Sequence, residues 1–393
     1  VEESKNFGLD ISACEQPVPI GTGDAVKCGI HEVKDASKVL VLYGDVPLIK
    51  QNTIEELINA SGDGLSILTT ELDDPYGYGR VKKNPEGYAT GIIEEKDASN
   101  EEKEIKEVFT GILCSSTNIL KDSLSEIDNN NAAGEFYLTD IVSIMNNKGI
   151  KINTYLASND EVKGANSKKE LAQLEAIYRS MKVEDLLNMG ITISDPNRLD
   201  VRGDVECGKD CSIDVNVILE GEIKLGDNVS IGANCIIKNT SIGSNSKIDA
   251  FSHIDGASIS DSCIIGPYAR LREGSQIETS AKVGNFVETK NIVLGKGSKA
   301  NHLTYLGDTE VGKETNIGAG TITCNYDGKD KHKTSIGDES FIGSNSALVA
   351  PVTIGSNVTI AAGSVITKDV PDNALGLGRA KQNNKENWSK KKD

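Results

Sequence analysis

Aromatic rings are scarce, at 4% of 393 residues, and Trp388 is the single tryptophan. Cores of ordinary thickness draw much of their buried area from Phe, Tyr and Trp, so part of this chain must enclose something thinner. No apolar run approaches the roughly 20 residues of a membrane-spanning helix. None of the eight cysteines (Cys14, Cys28, Cys114, Cys207, Cys211, Cys235, Cys263, Cys324) forms a CxxC pair. Cys207 and Cys211 also lack a downstream Cys/His pair at zinc-site spacing, so free thiols acting as small hydrophobes are expected. Basic charge is in deficit, with 42 Lys and Arg against 59 Asp and Glu and a net charge of -17. That balance argues against a nucleic-acid partner, because phosphate backbones need a basic face. No basic-then-apolar leader marks the chain for export.

Two regimes are present instead. In the first, 38-KVLVLYGD-45 reads as a buried strand, 51-QNTIEELINA-60 as a helix, and 65-LSILTTEL-72 and 107-EVFTGILCSS-116 as further strands. The glycine-rich 20-IGTGDAV-26 precedes another helical stretch. This is α/β, with a largely parallel sheet expected. Residues 167–190 then read as one helix: Ser167 and Glu170 form a capping box, apolar residues recur at Leu171, Leu174, Ile177 or Tyr178, and Met181, and Gly190 stands at the stop. Its length suits a spacer. From about 200 to 370 an aliphatic residue followed by glycine recurs at intervals of six or its multiples, as at Leu225, Ile231, Ile242, Ile265, Val283, Leu294, Val311, Ile317, Ile336, Ile342 and Ile354. A period of six fits neither helix nor hairpin and marks a parallel β-helix. The aliphatic residue should fill a narrow core, and the glycine should let the backbone turn a corner. The beat breaks at 321-TITCNYDGKDKHKT-334, which should leave the prism as an exposed loop.

A core of Ile and Val has no use for titratable groups, yet 294-LGKGSKANHLTYLGD-308 carries two lysines, His302 and Tyr305. These must point outward. Between Arg270 and Lys333 basic side chains outnumber acidic ones, against the trend of the chain. On a β-helix, residues about 18 apart stack on one face, so Arg272, Lys290 and the region of Asp308 fall in one column. A cationic cluster beside a base can hold a sugar phosphate and take a proton from it. Asp45, at the carboxyl end of a strand, is placed as a ligand site would be, and suits Mg²⁺.

The motifs 283-VGNFVETK-290, 301-NHLTYLGD-308, 315-TNIGAGTITCNYDG-328 and 349-VAPVTIG-355 resemble a bifunctional family of bacterial UDP-N-acetylglucosamine synthesis. Its activities are glucosamine-1-phosphate N-acetyltransferase and N-acetylglucosamine-1-phosphate uridylyltransferase, and the resemblance covers essentially the whole chain. It implies a Rossmann-like nucleotidyltransferase domain (1–166), a linker helix (167–190) and a left-handed parallel β-helix acetyltransferase domain (191–393), assembled as a homotrimer. A cytoplasmic location is expected from the lack of a leader and the need for CoA and nucleotide pools, and no membrane insertion is expected from the apolar runs. By the family pattern His302 is the general base, supported by Glu288. Arg272, Lys290, Tyr305, Asn316, Tyr326 and Lys331 would hold glucosamine-1-phosphate. Ala319, Asn325, Ser344, Ala362 and Arg379 would contact acetyl-CoA. Gln16, Gly21, Thr22, Tyr43, Asp45, Gly79, Glu94 and Asn166 match contacts to UDP-N-acetylglucosamine, with Asp45 and Asn166 holding Mg²⁺.

Two departures accompany the match. The family's opening strand, GTR-type loop and downstream Lys have no counterpart before Val1, and Phe109 stands where an asparagine usually contacts the acetamido sugar. Acetyl transfer is therefore expected, with uridylyl transfer from UTP lost or crippled. Two other readings are a sugar-nucleotide pyrophosphorylase with a non-catalytic β-helix, and a non-enzymatic β-helix scaffold. Neither accounts for His302 with its cationic column.

Overall fold

The computed structural model describes residues 11–34 and 36–390; residues 1–10, 35 and 391–393, which include the chain start at Val1, lie outside them. It divides into two compact units, residues 1–177 and 178–393. Among the described residues no helix is long and apolar enough to cross a membrane.

In the first unit the elements follow as α1 (Thr22–Ile30), β1 (Lys38–Val41), α2 (Gln51–Ser61), β2 (Leu65–Glu71), β3 (Arg80–Lys83), β4 (Ala89–Ile93), α3 (Asn100–Lys103), β5 (Glu107–Ser116), α4 (Thr117–Leu124), α5 (Asp140–Asn147) and β6 (Ile152–Leu156). The sheet order is β4-β3-β5-β2-β6, with β1 also pairing β5. The expectation of a largely parallel sheet is overturned: β5 is antiparallel to β1, β2 and β3, and only β2 and β6 run parallel. The cause is the hairpin β3–β4, turned through 84-NPEG-87, which reverses the chain before β5 enters the middle of the sheet. The Asn-Pro and Gly punctuation of that turn is a legible hairpin signal.

β5 is kinked at Gly111. Its register against β2 slips between Ile67 and Thr69, and Gly111 has φ +88°. A Cβ there would lie 2.1 Å from the Tyr43 ring. Bulges of this kind gather next to sites, where they re-aim neighbouring groups. Here the bulge makes room for Tyr43. One face of the sheet packs on Leu113, Leu120, Ile141 and Met145, the other on Leu57, Leu68, Ile112 and Cys114.

Helix α6 (Lys168–Asn188) runs where the sequence places it. Ser167 Oγ accepts the Glu170 N–H at 3.2 Å, while the Glu170 carboxylate reaches one residue further back, to the Asn166 N–H at 2.8 Å. At the far end the Gly190 N–H bonds Leu187 O and the Ile191 N–H bonds Leu186 O, the paired closure of a Schellman stop. Of the expected apolar stripe Leu174 is buried, but Leu171 and Tyr178 are exposed.

The second unit is a parallel β-helix. One face is an eleven-strand ladder, and a fourteen-strand ladder makes up the rest. Along the first, Ile213, Ile231, Ile248, Ile265, Val283, Ala300, Ile317, Ile342 and Ile360 stack one above the next. The step is 17 or 18 residues, except between Ile317 and Ile342, where the 325–333 loop is inserted. Every aliphatic hexad residue named above is buried in a single core.

The glycines serve a different purpose from the one expected. Most hexad glycines have ordinary φ. What they lack is room: a Cβ on Gly284 would lie 2.1 Å from Asn301 O, and one on Gly343 2.4 Å from Ala362 N. The corners are turned elsewhere, at left-handed residues such as Asn234, Asn245, Asn345 and Asn357, a conformation that Asn tolerates best after Gly. On one corner those positions are Phe251, Tyr268 and Phe286, whose rings stack outside the prism with centroids 4.9 and 5.2 Å apart. The few rings of this unit thus decorate the solenoid rather than fill it.

Candidate active sites

His302 ends the strand Lys299–His302, just before the left-handed corner at Leu303. Its register partner one coil earlier is Asn285. The ring is exposed, and Nδ1 lies 2.7 Å from Asn285 Oδ1. The backbone is held firmly: His302 O accepts from Thr304 Oγ1 at 2.7 Å and from the Gly320 N–H at 3.3 Å. Because Ala300, Ile317, Ile342 and Ile360 are stacked, the residues two further on share one edge. These are His302, Ala319, Ser344 and Ala362. Three of the residues expected to touch acetyl-CoA therefore line up in a column with the expected base at its head. Arg379 is exposed and follows Gly378, whose N–H bonds Ser364 Oγ at 3.2 Å.

Around the Leu303 corner comes Tyr305, and with it the cationic face. Arg272 is stacked on the strand of Lys290, its N–H bonding Thr289 O, and Lys331 reaches in from the inserted loop. Contact with Lys331, followed by the charges of Lys331 and Arg272, holds the Lys290 ammonium below its usual range. Asp308 sits among them, accepting from Asn291 Nδ2 at 2.7 Å and Asn325 Nδ2 at 2.6 Å. Burial pushes its carboxyl up, but those two amides and the ammoniums of Lys331 and Lys290 outweigh burial and leave it below the usual carboxylate range. The face is thus a set of crowded cations whose mutual repulsion a bound phosphate would relieve.

The loop itself is closed by Asp327, which accepts from the Lys329 and Asp330 N–H groups and from His332 Nε2. Tyr326 is exposed and donates to Gly328 O. Asn316 is half-buried and stacked on Lys299. Glu288, expected beside the base, is ion-paired with Arg272 at 2.9 Å, and Asn285 occupies the imidazole's second nitrogen. Sequence reading missed Asn285, Asp308 as a pinned anion, and Gly307. A Cβ on Gly307 would lie 2.5 Å from Tyr305 Oη and 2.7 Å from Asn325 Nδ2, so glycine there keeps both groups in place. The 17-residue step was the available signal for Asn285.

In the first unit the expected nucleotide residues also converge. Gln16 Nε2 donates to Gly21 O at 3.2 Å and Asp24 Oδ2 at 2.8 Å. Gly21 has φ +127°, and a Cβ on it would meet Phe136 O at 2.4 Å. Thr22 Oγ1 accepts the Leu138 N–H. Burial and the Glu94 charge push the Tyr43 hydroxyl up, a hydrogen bond with Thr22 partly offsetting them. Gly79 borders Glu94, whose Oε1 accepts from Thr139 at 3.0 Å and whose carboxyl burial raises. Asp45 O accepts the Ala165 N–H at 3.0 Å, which brings the 164–166 segment, and so Asn166, against Asp45. Phe109 is buried in the apolar core, its N–H bonded to Gly79 O at 2.9 Å; its ring packs rather than faces a sugar.

Acid is concentrated beside this site. Burial, then the charges of Asp128, Glu94 and Asp97, push the Asp140 carboxyl from 3.8 up to about 6. The folded state therefore binds this proton more tightly than the unfolded chain. The contribution to stability is complete below about pH 4 and is lost as pH rises through about 6. Asp140→Asn is expected to raise the thermal midpoint above pH 7 and to flatten its slope between pH 4 and 6, measured by melting across that range. The group is half exposed, so solvent screening holds the gain to about 1 kcal/mol.

A nucleotidyl transferase family model matches residues 1–160, and a model for the hexapeptide repeat of succinyl-transferase matches residues 222–250 and 333–368. The bifunctional protein GlmU of Burkholderia multivorans is 50% identical over 381 residues, 96% of this chain and 84% of that protein. The chain belongs to the GlmU family. The GlmU proteins of Idiomarina loihiensis and Acinetobacter baumannii are 49% and 48% identical, each over 98% of this chain. As a GlmU protein it is a bifunctional transferase, with N-acetyltransferase and uridylyltransferase activities leading to UDP-N-acetylglucosamine; the expected loss of uridylyl transfer finds no support in that membership. Neither the pyrophosphorylase with a non-catalytic β-helix nor the non-enzymatic scaffold matches that membership.

Proposed function

We propose that the solenoid unit acetylates the amine of glucosamine-1-phosphate, with His302 as general base. Nε2 of His302 takes a proton from the substrate ammonium, the freed amine attacks the thioester carbonyl of acetyl-CoA, the new C–N bond forms, and CoA leaves as the thiol. Arg272, Lys290 and Lys331 hold the sugar phosphate. Arg grips it in a fork, Lys as a point charge. Tyr305, Asn316 and Tyr326 orient the sugar, and acetyl-CoA lies along the edge of Ala319, Ser344 and Ala362, with Asn325 and Arg379 beside it. The observation that carries this reading is the column of His302 with those small residues, around one corner from three crowded cations. A homotrimer would enclose this open edge, and a cytoplasmic location would supply acetyl-CoA and UTP.

In the first unit Gln16, Gly21, Thr22, Tyr43, Gly79 and Glu94 form the cradle for UDP-N-acetylglucosamine. Asp45 O accepts the Ala165 N–H, which ties the segment of Asn166 to Asp45; the Asp45 carboxylate and the Asn166 amide would supply hard oxygen ligands of the kind that suits Mg²⁺, which keeps most of its waters. When bound, the ion neutralises phosphate charge; the residues themselves position the uridine and the sugar.

The assay adds acetyl-CoA and glucosamine-1-phosphate and follows free thiol. Absence of CoA release would remove the acetyl-transfer assignment from the solenoid unit. Arg272→Gln is expected to raise KM for glucosamine-1-phosphate by about 10- to 100-fold with a smaller change in kcat, since a charge-assisted phosphate contact is lost in ground and transition states alike. An unchanged KM would move the phosphate elsewhere. Pyrophosphate released from UTP and N-acetylglucosamine-1-phosphate with Mg²⁺ measures the uridylyl half.

A further inference from the structure

We infer that Asn285 is a positioning residue for the acetyltransferase, fixing which nitrogen of His302 carries the lone pair. This rests on the assignment of His302 as base and goes beyond it. A neutral imidazole has one donor and one acceptor nitrogen, and the hydrogen bond made by one decides the state of the other. In water the neutral ring prefers its proton on Nε2, which would leave the lone pair on the wrong atom for an outward-facing base. Asn285 Oδ1, 2.7 Å from Nδ1, can only accept. It therefore keeps the proton on Nδ1 and frees Nε2.

The coils deliver this geometry reproducibly. Asn285 and His302 are register partners, and the Leu303 N–H bonds Asn285 O at 3.1 Å. Gly284 allows the two coils their close approach, for a Cβ there would lie 2.1 Å from Asn301 O. Two side chains at equivalent positions of adjacent, tightly spaced coils can hardly drift apart. The carboxylate that could have filled this role, Glu288, is held by Arg272. A neutral amide also suits the task, because it orients the ring without adding negative charge beside an incoming sugar phosphate.

The test uses the full chain with ¹⁵N-labelled histidine. In the unaltered protein, above the imidazole titration, His302 should show the Nδ1–H form. Asn285→Ala should move it toward the Nε2–H form and lower kcat by about 10- to 100-fold, part of what a positioned base supplies, with KM for both substrates nearly unchanged. Asn285→Asp, which restores an acceptor, should restore the tautomer and most of the turnover. An unshifted tautomer in Asn285→Ala overturns the role of Asn285. A shifted tautomer with undiminished kcat overturns the role of His302 as base, so the two failures read differently.

Discussion

Replacing His302 with alanine is expected to slow acetyl transfer by about 10²–10⁴-fold, or roughly 3–5.5 kcal/mol of barrier. The protein should melt as before. Those two outcomes belong together because the ring is exposed and contributes nothing to the solenoid core; its backbone, not its side chain, makes the bonds to Thr304 and Gly320. An exposed side chain without packing seldom changes stability by more than about 0.5 kcal/mol. The loss should appear in kcat, since the base acts on the amine proton and not on the phosphate or the pantetheine. It should also shrink as pH rises and more of the substrate amine is free before binding. Turnover near that of the unaltered protein, from a preparation of the same oligomeric state, would remove His302 from the mechanism.

How much of this could be read from the residues differs between the two units. The solenoid announces itself, because each inward aliphatic side chain is a separate vote for a six-residue period, and all of those named are buried. The physical role of the glycines was not legible. A sequence shows that a residue lacks a Cβ, not whether torsion or crowding forbids one; only stacked coordinates show Gly343 against Ala362 and Gly284 against Asn301. In the first unit β1, β2 and β5 are legible to within a few residues, whereas strand direction turns on the NPEG hairpin, which reverses the chain before β5. Pattern gives strand existence, while direction depends on connections.

The candidate sites divide in the same way. A step of about 18 residues puts Arg272, Lys290 and Asp308 in one column, and Lys290 does lie under the influence of both others. Partner choice within the cluster was less accessible. Glu288 and Asn285 are three residues apart on either side of the Phe286 corner of one coil, and one meets Arg272 while the other meets His302. A shift of a single residue in register decides which corner a side chain serves. Steps of 17 and 18 are mixed along this ladder, so no fixed period could separate them. The pinning of Asp308 by Asn291 and Asn325 depends likewise on the inserted loop.

Gly343→Ala should then do what no surface change can: weaken the fold and acetyl-CoA binding together. The added Cβ would stand 2.4 Å from Ala362 N, 2.6 Å from Ile360 O and 2.8 Å from Ala362 Cα. All three are backbone atoms locked in the ladder, where the Gly343 N–H itself bonds Ile360 O at 2.9 Å. No rotamer change relieves the overlap, so the coils must part. Overpacking of this kind costs about 1–3 kcal/mol, and with backbone as the obstacle the upper end is expected, a fall in melting temperature of about 6–12 °C. Ser344 follows directly and Ala362 lies opposite, so the column below His302 widens at its middle. KM for acetyl-CoA should rise at least about tenfold, because contacts made equally in ground and transition states are lost, while KM for glucosamine-1-phosphate holds. Gly29→Ala is the control: nothing lies within 4 Å of its Cβ in helix α1, and it should stabilise by about 0.5–1 kcal/mol. If Gly343→Ala melts with the unaltered protein, coil spacing is not what glycine protects at that edge, and the hexad glycines need another explanation.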